Sequence, residues 1–357
     1  MNREKRILIL APTTLPSVTG NAITVERWRR ALNKKGCRVE TLATENSSAL
    51  DLLNSLKRFQ PDLIHVHHAF RAGALLLHPT FTSEGKEIPL VVSPSGTDIN
   101  HDLRNPEKEE TVLSVFRMAR VIVAQGSDTE QQLKQNLADL TDRIVNVPKA
   151  FSWLGHDTYD LRTVTGCGPG DILFFLPAGI RPVKGNLECL GAMAKLHTLR
   201  PNVRVAFAGP ALDTDYAARF EAEVLRHRAL ARWIPLIPPE AIRSAFESID
   251  IVLNTSFSEG LANTLLEAIG AGRPVLASDI PGNRSPVLGD NGDPPTGYLF
   301  DPHDQDDFVR QAIRLIDDEK TRNAFSQAGR LRASQWPGPD AEADGLIAAY
   351  KTALGDS

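Results

Sequence analysis

Cysteine is scarce in this chain, and long apolar runs are missing altogether. The three cysteines, Cys37, Cys167 and Cys189, are far apart and odd in number. They fit neither a disulfide framework nor a zinc site, so a reducing cytoplasm is the expected home. No stretch approaches the ~20 apolar residues of a membrane span. The run Ile7-Leu8-Ile9-Leu10 is too short to read as a signal peptide. An excess of one charge sign is also lacking: the formal net charge of −4 exerts no general pull on nucleic acid or an anionic membrane. Internal repeats and low-complexity tracts are absent. What remains is a soluble globular composition, 42% hydrophobic and 24% charged. At 357 residues it is too long for one ordinary core, and two domains are expected.

Strand-like and helix-like segments alternate almost throughout, the mark of parallel α/β domains. The pattern predicts strands at Ile7–Ala11, Arg38–Thr41, Leu63–His67, Leu90–Ser93, Val121–Ala124 and Ile144–Val147, with helices between them. Residues 153–170 hold four glycines and little periodicity, so they are expected to link a first domain, 1–152, to a second, 171–336. The second alternation includes strands at Ile172–Leu176, Arg204–Ala208, Trp233–Ile237, Ile251–Ser256 and Pro274–Ser278. A last amphipathic helix, Ala341–Leu354, follows the break Trp336-Pro337-Gly338-Pro339 and falls in a terminal segment, 337–357. The expected fold is α/β, with two doubly wound parallel sheets and a ligand at the carboxyl ends of their strands.

The segment Ser258–Glu267 is the most informative. It lies between an apolar strand and the helix-forming run Ala262–Ala271, so free amides of the first helical turn, around Ala262, Asn263 and Thr264, form an anion site. Glu259 falls at its mouth and Glu267 about 12 Å along the helix axis. A nucleotide-diphosphate-sugar suits such a site; two surface glutamates on a crossover helix are the bland alternative. A second loop, Gly179–Gly185, places Arg181 and Lys184 just past a strand's carboxyl end, where two cations can neutralise a departing diphosphate. An exposed basic turn is its plain alternative. Gly20, in the loop Thr13–Asn21, would permit close approach to phosphate or acceptor, or serve only as a turn residue. His65, His67 and His68 lie on or beside one strand; packing is preferred over metal binding, and no metal site is expected. The basic first helix, with Arg27, Arg29, Arg30, Lys34 and Lys35, reads as solvated rather than membrane-bound.

The run EGLANTLLEAIGAGRPVLAS resembles the glutamate-x7-glutamate segment of family 4 of the retaining glycosyltransferases. The resemblance implies the B-type, two-Rossmann fold, with the final helix crossing back to the first domain. It implies that Glu259 contacts the donor sugar and Glu267 the ribose, with Gly260, Leu261, Ala262, Asn263 and Thr264 lining the donor. It assigns Arg181 and Lys184 to the diphosphate, Gly209 to a nucleotide-side turn, and backbone near Ile237 to the base. Thr19-Gly20-Asn21, His68-Ala69-Phe70-Arg71, Gly96-Thr97-Asp98-Ile99 and Ile280-Pro281-Gly282-Asn283 resemble a subset of that family. The subset includes the glycosyltransferase 1 domain-containing proteins and the selenosugar synthases. By that likeness Gly20 and Asn21 join the donor side, and His68, Arg71 and Thr97 the acceptor side. Asp98 takes the place of a histidine facing the reacting sugar in many relatives; it orients a donor or acceptor group, or caps the following turn.

The implied reaction is metal-independent transfer with retention, without a cofactor, from a nucleotide-sugar, a UDP-sugar being the expected donor. The acceptor and the oligomeric state are not legible, and no nucleic-acid partner is expected. The alternatives are selenosugar-synthase-like transfer to selenium or sulfur, a sugar-nucleotide epimerase, and a non-catalytic sugar-nucleotide sensor.

Overall fold

The computed structural model describes residues 4–84, 88–259, 262–289 and 292–356. The chain divides into two units: the first runs through Ser152 and resumes at Pro337, and the second is Trp153–Trp336.

The first unit is built on strands β1 (Arg6–Ala11), β2 (Arg38–Ala43), β3 (Leu63–His67), β4 (Leu90–Ser93), β5 (Val121–Ala124) and β6 (Ile144–Asn146). All pair in parallel, in the order β2-β1-β3-β4-β5-β6. Ile7–Ala11 is wholly buried, as is β3, because parallel strands are covered on both faces and need unbroken apolar runs. The second unit is built on β7 (Ile172–Pro177), β8 (Val203–Ala208), β9 (Ala231–Ile234), β10 (Ile251–Asn254), β11 (Val275–Ser278) and β12 (Gly297–Phe300). Its order is β12-β11-β10-β7-β8-β9, again all parallel.

Each sheet therefore has a point where the winding reverses, between β1 and β3 in the first and between β7 and β10 in the second. Connections leave in opposite directions there, so the loops at the carboxyl ends part and leave a crevice. The loops 13–21 and 68–71 flank the first reversal point, and the segments 179–185 and 258–267 the second.

Several expectations shift. Strand β9 ends at Ile234, not Ile237, because Pro235 interrupts it and Ile237 turns into the core beside Val252 and Leu265. Strand β12 was not expected; Gly297 lies so close to β11 that an added Cβ would sit 2.0 Å from the Val275 carbonyl oxygen. Residues 153–170 are not a free linker but belong to the second unit. Leu161 is fully buried. The amides of Tyr159 and Leu161 donate to the hydroxyls of Ser244 and Ser248 at 2.9 and 3.0 Å, and Arg162 pairs with Asp250 at 2.8 Å.

The final helix, Pro339–Leu354, completes the first unit. Ala343, Leu346, Ala349, Tyr350 and Ala353 pack with Trp28 and β1 residues in one apolar cluster. Its acidic side also answers the basic first helix, Gly20–Lys34. Arg27, 5% exposed, makes a bidentate pair with Glu342 at 2.8 and 3.0 Å; Gln125 adds a donor to Glu342 at 3.0 Å. Lys34 pairs with Asp340 and Lys35 with Asp344 at the surface, while Arg29 and Arg30 fold back on Glu26. The cations of the first helix are thus paired with carboxylates rather than simply solvated.

His65 bridges Ser93 and Tyr350 at 2.7 Å each and stacks on Trp28 at 4.9 Å. His67 meets the same indole edge-on at 5.0 Å, as alternation along a strand requires. Burial drives the His65 pKa down to about 3, and burial reinforced by neighbouring charge lowers His67 well below its usual value.

Glu342→Ala leaves Arg27 buried without its partner and should cost about 3–5 kcal/mol, whereas Asp340→Ala at the surface pair should cost at most about 1 kcal/mol; urea midpoints of the first unit check both. Below about pH 6.5 the unfolded chain takes up protons that folded His65 and His67 refuse, so stability is full above that pH and falls as pH drops. The expected loss between pH 7.5 and 5.5 is about 1.4 kcal/mol per histidine, and His65→Asn should remove one proton from the measured slope.

Candidate active site

In the second unit, the loops after β7 and β10 lie on either side of the winding reversal and are stitched together. The Thr255 hydroxyl donates to the Lys184 carbonyl at 2.8 Å, and the Phe257 amide donates to the Val183 carbonyl at 2.9 Å. Gly185 makes this approach possible: it has φ +64°, and a Cβ there would lie 2.5 Å from the Thr255 carbonyl oxygen. Gly209 acts similarly between the β7 and β8 loops, with φ +151° and a hypothetical Cβ 2.4 Å from the Ala178 carbonyl oxygen. The indole of Trp233 donates to the Gly209 carbonyl at 3.0 Å.

This stitching brings Lys184 and Glu259 into a direct ion pair, with side chains only 18% and 16% exposed. Ser256 donates its hydroxyl to the same Glu259 oxygen at 2.8 Å. Burial alone would raise the Glu259 pKa; the Lys184 charge and hydrogen bond, the Ser256 hydroxyl and the Arg181 charge outweigh it and hold the carboxyl below its ordinary value. Arg181 Nε and Asn186 Nδ2 are buried donors without a hydrogen-bond partner among the described residues. Asn186, fully buried at the start of the helix Asn186–Leu199, accepts from the Arg181 amide at 3.3 Å.

The helix Asn263–Gly270 has Ala262 at its N-cap, which supplies no side-chain cap. The Thr264 hydroxyl donates to the Pro177 carbonyl at 3.0 Å, tying the helix start to the end of β7. Glu267 is half-buried, between the buried Leu266 and Ala268 of this helix. Gly260 and Leu261 lie outside the described residues. Asp213, whose Asp-Thr-Asp letters resemble a metal motif, instead caps the helix Thr214–Arg226 through the Tyr216 amide at 2.9 Å.

In the first unit, the loops after β1, β3 and β4 carry the remaining candidates. Gly20 and Asn21 open the first helix behind its cap Thr19. His68 has a left-handed backbone, φ +86°, unusual for a residue with a side chain. It is buried, and its Nδ1 accepts from the Arg71 amide at 3.2 Å. Arg71 is exposed and ion-paired with Glu45, and Thr97 is exposed. Of its two readings, Asp98 lies nearer the structural one. It is fully buried, and its carboxylate collects the amides of Ala69 at 2.8 Å, Ser95 at 3.0 Å and Gly96 at 3.0 Å. Such a carboxylate ties the β3 and β4 loops together and is not presented to a reacting group.

Residues 160–332 match the family Glycosyl transferases group 1. The matched residues make up just under half of the chain. Over 334 residues it is 29% identical to glycosyltransferase 1 domain-containing protein 1 of Xenopus tropicalis, covering 91% of this chain and 92% of that protein. It is 28% identical over 264 residues to a D-inositol 3-phosphate glycosyltransferase of Paenarthrobacter aurescens, covering 63% of this chain and 61% of that one. Among solved structures, Anabaena HepE in complex with UDP and glucose superposes with a TM-score of 0.77 at 16% identity, over 98% of this chain and 100% of that one. The fold is therefore the B-type glycosyltransferase fold of two parallel α/β sheets.

Within residues 160–332, the sequence reading missed Ser256, Asn186 and Thr255. Gly-Asn after Lys184, and Asn-Thr-Ser at the end of β10, were the available signals; small polar residues at the carboxyl ends of strands beside a reversal point are placed to touch a ligand or its contacts. Replacing the Asp98 carboxylate with an amide, Asp98→Asn, should cost the first unit about 2–3 kcal/mol, because one buried acceptor becomes a donor facing amides. Thermal unfolding checks this, and an unchanged midpoint would show that the clasp is dispensable.

Proposed function

We propose that this chain is a glycosyltransferase that moves a sugar from a nucleotide-diphosphate-sugar, a UDP-sugar, to an acceptor with retention at the anomeric carbon. The observation that carries the reading is the Lys184–Glu259 pair set beside the unpartnered donors Arg181 Nε and Asn186 Nδ2. Two cations, a spare amide group and an uncapped helix start converge on the loops where the winding reverses. That set suits a diphosphate, with a carboxylate alongside to take sugar hydroxyls. The HepE structure, solved with UDP and glucose, supports a nucleotide-sugar as the donor.

In the proposed reaction the acceptor oxygen attacks the anomeric carbon on the face the diphosphate leaves. The carbon–oxygen bond to phosphate breaks, and the departing phosphate oxygen takes the acceptor proton. Arg181, Lys184 and the amides at Ala262–Thr264 stabilise the charge that gathers on the leaving group, and the fixed site supplies orientation. These side-chain and main-chain groups meet that charge themselves, which supports a reaction without a metal. On binding, Lys184 exchanges Glu259 for phosphate, freeing the carboxylate for the sugar, while Glu267 takes the ribose. Within the first unit taken by itself, Gly20 and Asn21 are proposed as donor-side residues and His68, Arg71 and Thr97 as acceptor-side residues.

Calorimetry against UDP-, GDP-, ADP- and TDP-linked sugars tests the reading, since a transferase of this kind binds at least one of them. Arg181→Ala and Glu259→Ala should each reduce release of UDP from the bound donor about 100- to 1000-fold while the protein stays folded. Failure to bind any donor, or wild-type turnover in either variant, would remove the assignment.

A further inference from the structure

Behind Glu259 runs a buried chain of small polar side chains that the donor assignment does not use. Asn283, fully buried, donates through Nδ2 to the Ser278 carbonyl at 2.9 Å and to its hydroxyl at 3.2 Å. The Ser278 hydroxyl, also fully buried, donates to the Ser256 carbonyl at 2.5 Å. The Ser256 amide donates to Asn254 Oδ1 at 3.2 Å, and the Ser256 hydroxyl reaches Glu259 at 2.8 Å. The chain thus passes from the helix Pro281–Leu288, across the ends of β11 and β10, to the carboxylate.

Packing alone does not call for this arrangement. An apolar core would be satisfied by alanine or valine at Ser256 and Ser278, as at most neighbouring strand positions. Instead each hydroxyl donates in the direction of Glu259 or of the loop that bears it, and Ser256 fixes one carboxylate oxygen together with Lys184. A glutamate side chain has three rotatable bonds, and Lys184 is also the proposed partner of phosphate. Ser256 is therefore the partner that can stay with Glu259 when Lys184 leaves. A hydrogen bond to an ionised carboxylate is among the stronger neutral-to-charged contacts in proteins.

We propose that Asn283, Ser278 and Ser256 are positioning residues that hold the Glu259 carboxylate in place for the sugar of the donor. The inference rests on the donor reading above and extends it to residues that touch no substrate. It makes the sugar part of recognition depend on Ser256, and leaves the nucleotide part independent of it.

The test compares Kd for UDP and for UDP-glucose, UDP-galactose and UDP-N-acetylglucosamine by calorimetry in wild type, Ser256→Ala and Ser278→Ala. Ser256→Ala should keep UDP affinity within about twofold while weakening the preferred UDP-sugar about tenfold. Ser278→Ala should move the same ratio in the same direction by a smaller factor, and it carries the test if Ser256→Ala does not fold. The acid limb of UDP-sugar binding should shift to higher pH in Ser256→Ala, because the ionised carboxylate has lost a donor. An unchanged ratio and limb, or equal weakening of UDP and UDP-sugar, would overturn the positioning role. Wild type that binds none of the three UDP-sugars would overturn the UDP-sugar reading, and this proposal with it.

Discussion

Opposite charges at Lys184 and Glu259 meet where the winding of the second sheet reverses, and the local architecture is organised around their meeting. Neither side chain is fully hydrated, so each depends on the other to offset lost solvation. The backbone makes the meeting possible through Gly185, through the Thr255 hydroxyl, and through the amide of Phe257. The loops after β7 and β10 are far apart in sequence yet adjacent in space, because β7 and β10 are hydrogen-bonded neighbours. A site that rests on strand ends inherits the rigidity of the sheet. That is what a transfer reaction needs, since its catalysis comes from fixed charge and orientation rather than from a reactive side chain.

Much of this was legible in the residues, and the exceptions have physical causes. Strands β3, β4 and β5 fall at the expected boundaries because unbroken apolar runs covered on both faces leave little freedom. Strand β12 was hidden because four residues starting with glycine carry almost no periodic signal, and pairing with β11 decides its place. The helix Pro281–Leu288 was hidden by two prolines and a glycine, yet Pro281 stands at its first turn, where proline is tolerated. The places of Arg181, Lys184 and Glu259 just past strand ends were legible, but the ion pair of Lys184 with Glu259 was not anticipated. The partnership of Ser256 with that glutamate depends on side-chain direction at a strand end, which spacing does not reveal.

The first unit shows the same limit from the other side. Gly-Thr-Asp after a strand describes equally a carboxylate turned outward and one that gathers amides. Tertiary structure decides for Asp98, because the β3 loop brings the Ala69 amide within reach. The tie also explains how His68 can keep a left-handed backbone: its loop is held from both sides, by Asp98 and by the Ser93 carbonyl that accepts from the His68 amide at 3.0 Å. The histidines on β3 divide likewise, with His65 spent on Tyr350 and Ser93 and turned toward Trp28.

Tyr350 and its neighbours on Pro339–Leu354 belong to a sheet whose strands all precede residue 147. During synthesis on a ribosome, those six strands emerge long before the segment that covers one of their faces. Until translation has passed through the whole of Trp153–Trp336, Trp28, Ile7 and Ile9 have a side exposed to water and Arg27 has no carboxylate. The amino-terminal strands thus gain the cover of one sheet face only after the whole of the second unit has been made, whereas the second unit is continuous in sequence.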